Sequence, residues 1–149
     1  MIASNKQVRI KCSDSLAEAL PGWGYRGDFS VESLKDIDRF VDEQFPNGRP
    51  KPSDLLARDL GARIFALGAY VGETIRRQGE GRWLASQGDP EDVINLTVKL
   101  KSGSIFWPMQ RIIKRLQNGS EDGIYVYGAG ILNRLSSSTG SLPSNDQRE

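Results

Sequence analysis

The chain has 149 residues, with 20 Lys+Arg against 19 Asp+Glu, one cysteine and no histidine. That length buries roughly 70% of the surface an unfolded chain exposes, enough for one ordinary core. A formal charge of +1 gives neither a bulk-charge footprint for nucleic acid nor an acidic mimic of one, and without histidine there is no Ser-His-Asp or Cys-His mechanism and no Cys/His zinc site.

Lys6, Arg9 and Lys11 near the N-terminus have no apolar run behind them, and no stretch approaches about 18 apolar residues, so the sequence predicts a soluble, cytoplasmic protein. The single Cys12 cannot close an intramolecular disulfide. Gln7 to Cys12 alternates polar and apolar, the period of a short half-buried strand or an ordered arm. Pro21 to Asp28 holds three glycines and a proline and predicts a loop. The adhesion tripeptide spelled by Arg26-Gly27-Asp28 reads there as a turn.

Ser30 is the expected N-cap of a helix whose Leu34, Ile37, Val41 and Phe45 share one face, ended by Pro46-Asn47-Gly48. Asp36, Asp38, Asp42 and Glu43 lie among Lys35 and Arg39 on that helix, the pattern of a solvated, ion-paired face. A linker spans Asn47 to Pro52. Ser53 then caps a second helix, in which Leu56, Leu60, Ile64, Leu67, Val71 and Ile75 form a continuous stripe and predict a central position. Gly61, Gly68 and Gly72 lie near a common face of it. Each costs about 0.8–1.0 kcal/mol relative to Ala in a helix interior, so they predict the close approach of another element.

After Gly79 and Gly81 the period changes. Arg82-Trp83-Leu84 opens a strand, and Val93 to Leu100 sets Ile94, Leu96, Val98 and Leu100 on one face, with mostly polar residues opposite. Lys101-Ser102-Gly103-Ser104 has turn chemistry, and with Ile105-Phe106-Trp107 it predicts a hairpin. Pro108 suits the first position of a helix with a Met109, Ile112, Ile113 and Leu116 stripe and a stop at Asn118-Gly119. Arg111, Lys114 and Arg115 fall on its wet side.

Ser120 to Leu135 admits two readings: strand propensity in Ile124-Tyr125-Val126-Tyr127, or a helix with an acidic first turn and a face of Ile124, Ile131 and Leu135. The Gly-x-Gly within Ile124 to Asn133 fails as a dinucleotide fingerprint, because Asn133 stands at the third glycine and no second strand follows. Residues 136–149 are too polar to pack and predict a disordered tail behind a single domain over 1–135.

One charged residue stands apart. Glu73 lies beside Gly72 near the end of the most apolar helix, with Arg76 and Arg77 at i+3 and i+4 and with Arg82 and Trp83 beyond a Gly79-Glu80-Gly81 turn. A charge at the edge of a core must be paired to avoid a desolvation cost. The structural reading is an ion pair that fixes the helix-to-strand turn. The functional reading is a polar hot spot at a protein interface, with Tyr70, Glu73, Arg77, Arg82 and Trp83 as contacts. The acidic helix face around Asp36 and Glu43 is a second candidate surface. Nothing in the chain calls for a cofactor or metal, and no catalytic constellation is present.

Leu67-Gly68-Ala69-Tyr70-Val71-Gly72-Glu73-Thr74-Ile75, Gly79-Glu80-Gly81-Arg82-Trp83, and Trp107-Pro108-Met109 leading to Lys114-Arg115-Leu116-Gln117-Asn118-Gly119 resemble a family of small bacterial domains of unknown function. Glu80 separates the two glycines that the family pattern places together. The resemblance implies an α+β fold and a final helix after Gly119; with the elements read above, the expected arrangement is helices on one face of a small antiparallel sheet, in the order α-α-β-β-β-α-α. It carries no activity. Domains of this look are similar to immunity proteins, which implies a cytosolic inhibitor that neutralises a cognate antibacterial toxin by direct binding. Two rivals stand beside it: a small-ligand or enzymatic domain with a deep pocket, and a nucleic-acid accessory protein in which Arg76, Arg77, Arg82, Arg111, Lys114 and Arg115 converge.

Overall fold

The computed structural model describes residues 5–45, 60–84 and 95–140. Among them, five α-helices pack against one three-stranded antiparallel sheet, an α+β arrangement. The order is α1 (Asn5–Ala19), α2 (Ser33–Gln44), α3 (Leu60–Gln78), β1 (Arg82–Leu84), β2 (Thr97–Lys99), β3 (Ile105–Phe106), α4 (Pro108–Asn118) and α5 (Ile124–Gly140), with 3-10 turns at Leu20–Trp23 and Gly119–Asp122.

The N-terminal segment corrects the sequence reading, because Gln7 to Cys12 is helical. Six alternating residues fit a strand locally, but the stretch that follows has helical spacing. Ser13, Leu16 and Leu20 are buried and Ala17 packs beside them, while Cys12 lies against the Phe65, Ala69, Leu96 and Met109 cluster. Tertiary packing of α1 along α3 decides the state. The element order therefore gains one helix at its front.

The expected face of Leu34, Ile37, Val41 and Phe45 is buried along α2 and at its C-cap, and Phe40, which the stripe did not include, is buried with it. The Ser30 hydroxyl accepts the Ser33 amide at 3.1 Å, so it caps the turn that leads into the helix, which itself starts three residues later. Leu67, Val71 and Ile75 of α3 are buried, and α1, α4, α5 and β2 all touch this helix. The Ser53 cap, Leu56 and the 47–52 linker lie outside the described residues.

Two of the three α3 glycines answer the expectation of close approach. A Cβ on Gly68 would meet the Met109 side chain at 2.8 Å, and one on Gly72 would meet the Trp83 ring at 2.4 Å and Pro108 at 2.8 Å. Gly61 has nothing within 4 Å and marks no contact. The turn after α3 is also glycine-dependent for space: a Cβ on Gly81 would lie 2.6 Å from the Lys99 carbonyl oxygen. The left-handed position in it is taken by Glu80, with φ 53°.

The strands pair in the order β1-β2-β3, with Trp83 opposite Val98 and Val98 opposite Phe106 on the face toward the helices. The predicted hairpin turn is present, with Gly103 at φ 97° and the Leu100 amide donating to the Ser104 carbonyl at 2.8 Å. Pro108 opens α4 and Gly119, at φ 72°, closes it. The segment from Ile124 is helix, and it runs through Gly140, so Ser136 to Gly140 belongs to α5 and only 141–149 of the expected tail falls outside the described residues.

The space around Gly72 makes a sharp prediction. Gly72→Ala overpacks the contact with Trp83 and Pro108 and should cost about 1–3 kcal/mol, whereas Gly130→Ala in α5, with nothing within 4 Å, should stabilise by about 0.5–1 kcal/mol. Urea unfolding of the two variants checks both signs.

Candidate functional site

The Glu73 cluster predicted from sequence is assembled. Arg76 forks onto the carboxylate with Nε at 2.9 Å and Nη2 at 2.7 Å, Arg77 Nε donates at 2.8 Å, and Trp83 Nε1 donates at 3.1 Å. Arg76 also donates to the Gly81 carbonyl at 3.3 Å. One helical turn supplies the acid and both guanidinium groups, and β1 supplies the indole. Burial alone would raise the Glu73 carboxyl, but the hydrogen bonds from Arg76, Arg77 and Trp83 outweigh it and hold the group down at about 2. Both carboxylate oxygens are occupied, so the cluster clamps the α3–β1 turn.

Arg77 extends the clamp outward. Its guanidinium lies 3.9 Å from the centroid of Phe29, whose ring stacks on Tyr70 at 4.8 Å. Phe29 is held in the left-handed region at φ 59°, its amide donating to the Tyr70 hydroxyl at 3.0 Å and its carbonyl accepting from Gln78 at 3.0 Å. Tyr70 in turn donates to Ser33 Oγ at 2.7 Å. Tyr70 is 0% exposed, so it is withdrawn from the partner-contact set and serves as the post on which the 26–30 loop hangs.

The second candidate surface is laced to the Trp23–Arg26 turn. Asp36 accepts the Arg26 amide at 2.6 Å and sits 3.8 Å from the Arg26 and Arg39 guanidiniums. Glu43 accepts from the Tyr25 hydroxyl and lies 3.8 Å from Arg39, which covers the Tyr25 ring at 4.3 Å. The face is charge-balanced around Asp36 and Glu43, and the exposed Trp23, stacked on Phe40, stands beside it.

Four of the six cations named for a shared nucleic-acid patch are paired with separate acids. Arg76 and Arg77 hold Glu73. Arg111 lies 3.6 Å from Asp122 and 4.0 Å from the Tyr127 ring centroid. Arg115, expected on the wet side of its helix, is 3% exposed and bound to Asp38 and Asp42 at 2.8 Å each. Near it an open groove of about 430 Å³ is lined by Val41, Phe45, Leu116 and Gly119 among others. Among the described residues no group of three or more His, Cys, Asp or Glu could hold a metal ion.

What the sequence did not single out is the outward face of the sheet. Strand alternation points Trp83, Val98 and Phe106 inward, and so Arg82, Lys99 and Ile105 outward in one cross-strand row. Trp107 continues that outward face past β3. Ile105 and Trp107 are each 43% exposed, and Arg82 and Lys99 are exposed without an acidic partner among the described residues. The signal was present in Ile105-Phe106-Trp107, where alternation forces two large apolar side chains away from the core once Phe106 enters it.

No family model, no curated protein and no solved structure matches the chain. Among the described residues, no helix is long and apolar enough to cross a membrane.

The depressed carboxyl of Glu73 links stability to pH. The clamp contributes fully above the unfolded-state value and is lost as pH falls through the folded one, so stability should drop by about 2–3 kcal/mol between about pH 5 and pH 2 from this group. Glu73→Gln should flatten that part of the profile and cost about 2 kcal/mol at neutral pH. Denaturant melts across the range read both effects; an unchanged profile in Glu73→Gln would refute the assignment.

Proposed function

We propose that the chain is a protein-binding inhibitor, an immunity protein that neutralises a cognate antibacterial toxin in the cytoplasm by covering it, without catalysis of its own. The observation that carries this reading is the pair Ile105 and Trp107, each 43% exposed on the outward face of the sheet, with Lys99 beside Ile105 and Arg82 beyond it in the same cross-strand row. Trp and Arg are among the side chains most enriched at interface hot spots.

Internal occupation of the polar groups supports the same reading. Glu73, Arg76, Arg115, Asp38 and Tyr70 are all engaged in holding elements together. An inhibitor needs only a rigid scaffold and a complementary surface. Of the contacts predicted from sequence, Arg82 keeps its place and Ile105, Trp107 and Lys99 join it, while Glu73, Arg77 and Trp83 support the face from behind.

The test is affinity capture of the tagged protein from its native host, followed by reconstitution with the identified partner. Trp107→Ala should weaken binding by about 2 kcal/mol or more while unfolding as wild type. The wild type should abolish the partner's toxicity in co-expression. Failure of the wild type to protect, or full protection by Trp107→Ala, overturns the reading.

A further inference from the structure

We propose that the outward face of the sheet is selective for an acidic protein surface, with Arg82 and Lys99 receiving carboxylates and Ile105 and Trp107 receiving an apolar side chain between them. This deepens the binding reading above and rests on it. The argument is electrostatic. Arg82 and Lys99 are direct cross-strand partners in the β1–β2 register. In an antiparallel pair that brings their Cβ atoms to about 4.5–5.5 Å, and like charges so placed destabilise the sheet. The next cation along, Lys101, has an acid at 3.4 Å in Glu80, and Arg39, Arg76, Arg77, Arg111 and Arg115 each hold one or two carboxylates. Against that habit, two exposed cations side by side without an acid among the described residues form a site that carboxylates from outside would complete.

The apolar half of the face fixes the shape of the partner. Lys99 is also paired with Ile105 in the β2–β3 register, so the cationic pair and the exposed isoleucine form one continuous row of three strands, with Trp107 in the row beside it. An acidic segment with one apolar residue matches that order. A nucleic acid would need a longer track of cations, each neutralising one phosphate, and Arg76, Arg111 and Arg115 are engaged with Glu73, Asp122 and the Asp38–Asp42 pair.

The probe is a synthetic peptide of Glu and Asp with a central Leu, titrated to millimolar concentration into the labelled full chain and followed by amide NMR shifts. Its Asn/Gln counterpart and an oligothymidylate of equal length serve as comparisons. Shifts should centre on Arg82, Lys99, Ile105 and Trp107, fade with added salt, and be absent with the Asn/Gln peptide. Lys99→Glu should weaken acidic-peptide binding about tenfold and unfold at a temperature no lower than wild type, because the introduced carboxylate faces Arg82.

Absence of shifts at those four positions, equal binding of the Asn/Gln peptide, or tighter binding of oligothymidylate overturns the proposal. A fall in the melting temperature of Lys99→Glu also overturns it, because the cation would then be serving the chain's own carboxylates. The inhibitor reading fails separately: acidic-peptide recognition without protection against a captured partner leaves this inference standing and removes that one.

Discussion

Asp38 holds three helices in one register. Its Oδ1 accepts Arg115 Nε at 2.8 Å and the Ile124 amide at 2.9 Å, and its Oδ2 accepts the Tyr125 amide at 2.9 Å. The first turn of α5 carries no acidic side chain of its own. Its positive end and its unsatisfied N–H groups are therefore capped from α2. The same carboxylate compensates the guanidinium of Arg115, whose side chain is only 4% exposed, an ion whose burial would otherwise be strongly unfavourable. One side chain thus ties α2 to α4 and to α5, and Asp42, one turn later, completes the guanidinium's pairing.

A second carboxylate, Glu73, uses the same device with a different geometry. Glu73 takes all its donors from within its own helix turn and the strand that follows, so it fixes the direction in which the chain leaves α3. Gly72 lets the Trp83 ring lie flush on the helix, and Gly81 lets the chain pass the Lys99 carbonyl. The two carboxylates differ in reach. Asp38 joins residues 77 to 87 apart in sequence, Glu73 residues 3 to 10 apart.

That difference in reach explains what could be read from the sequence. The Glu73 cluster was legible because helix spacing and a short turn bring its members together without knowledge of the fold. The α3 stripe, the β2–β3 hairpin and the α4 start were legible for the same local reason. Arg115 was misplaced because helical periodicity places it on the polar side, where the Asp38 and Asp42 carboxylates of α2 meet it. Tyr70 was misread because aromatic character alone does not separate an anchor from a core post; its hydroxyl partners, Ser33 and Phe29, lie 37 and 41 residues away. Lys99 and Ile105 joined the site only through strand register, which alternation within one strand does not specify. In α1, alternation over six residues competed with helical spacing over nine, and contact with α3 settled it.

A sheet of two- and three-residue strands has little stability of its own. Its order is borrowed from the helices through the inward row, Trp83 against Gly72 and Val98 and Phe106 within the main core. The outward row is thereby free of structural duty, which is why an exposed isoleucine, an exposed tryptophan and two facing cations are tolerated there. The same arrangement pre-orders that row. A contact made on it loses little backbone freedom on binding, since Glu73 and the α3 glycines have already fixed the strand positions from behind. The outward surface and the inward packing are set by alternate residues of the same strands, so each can change by substitution with little effect on the other.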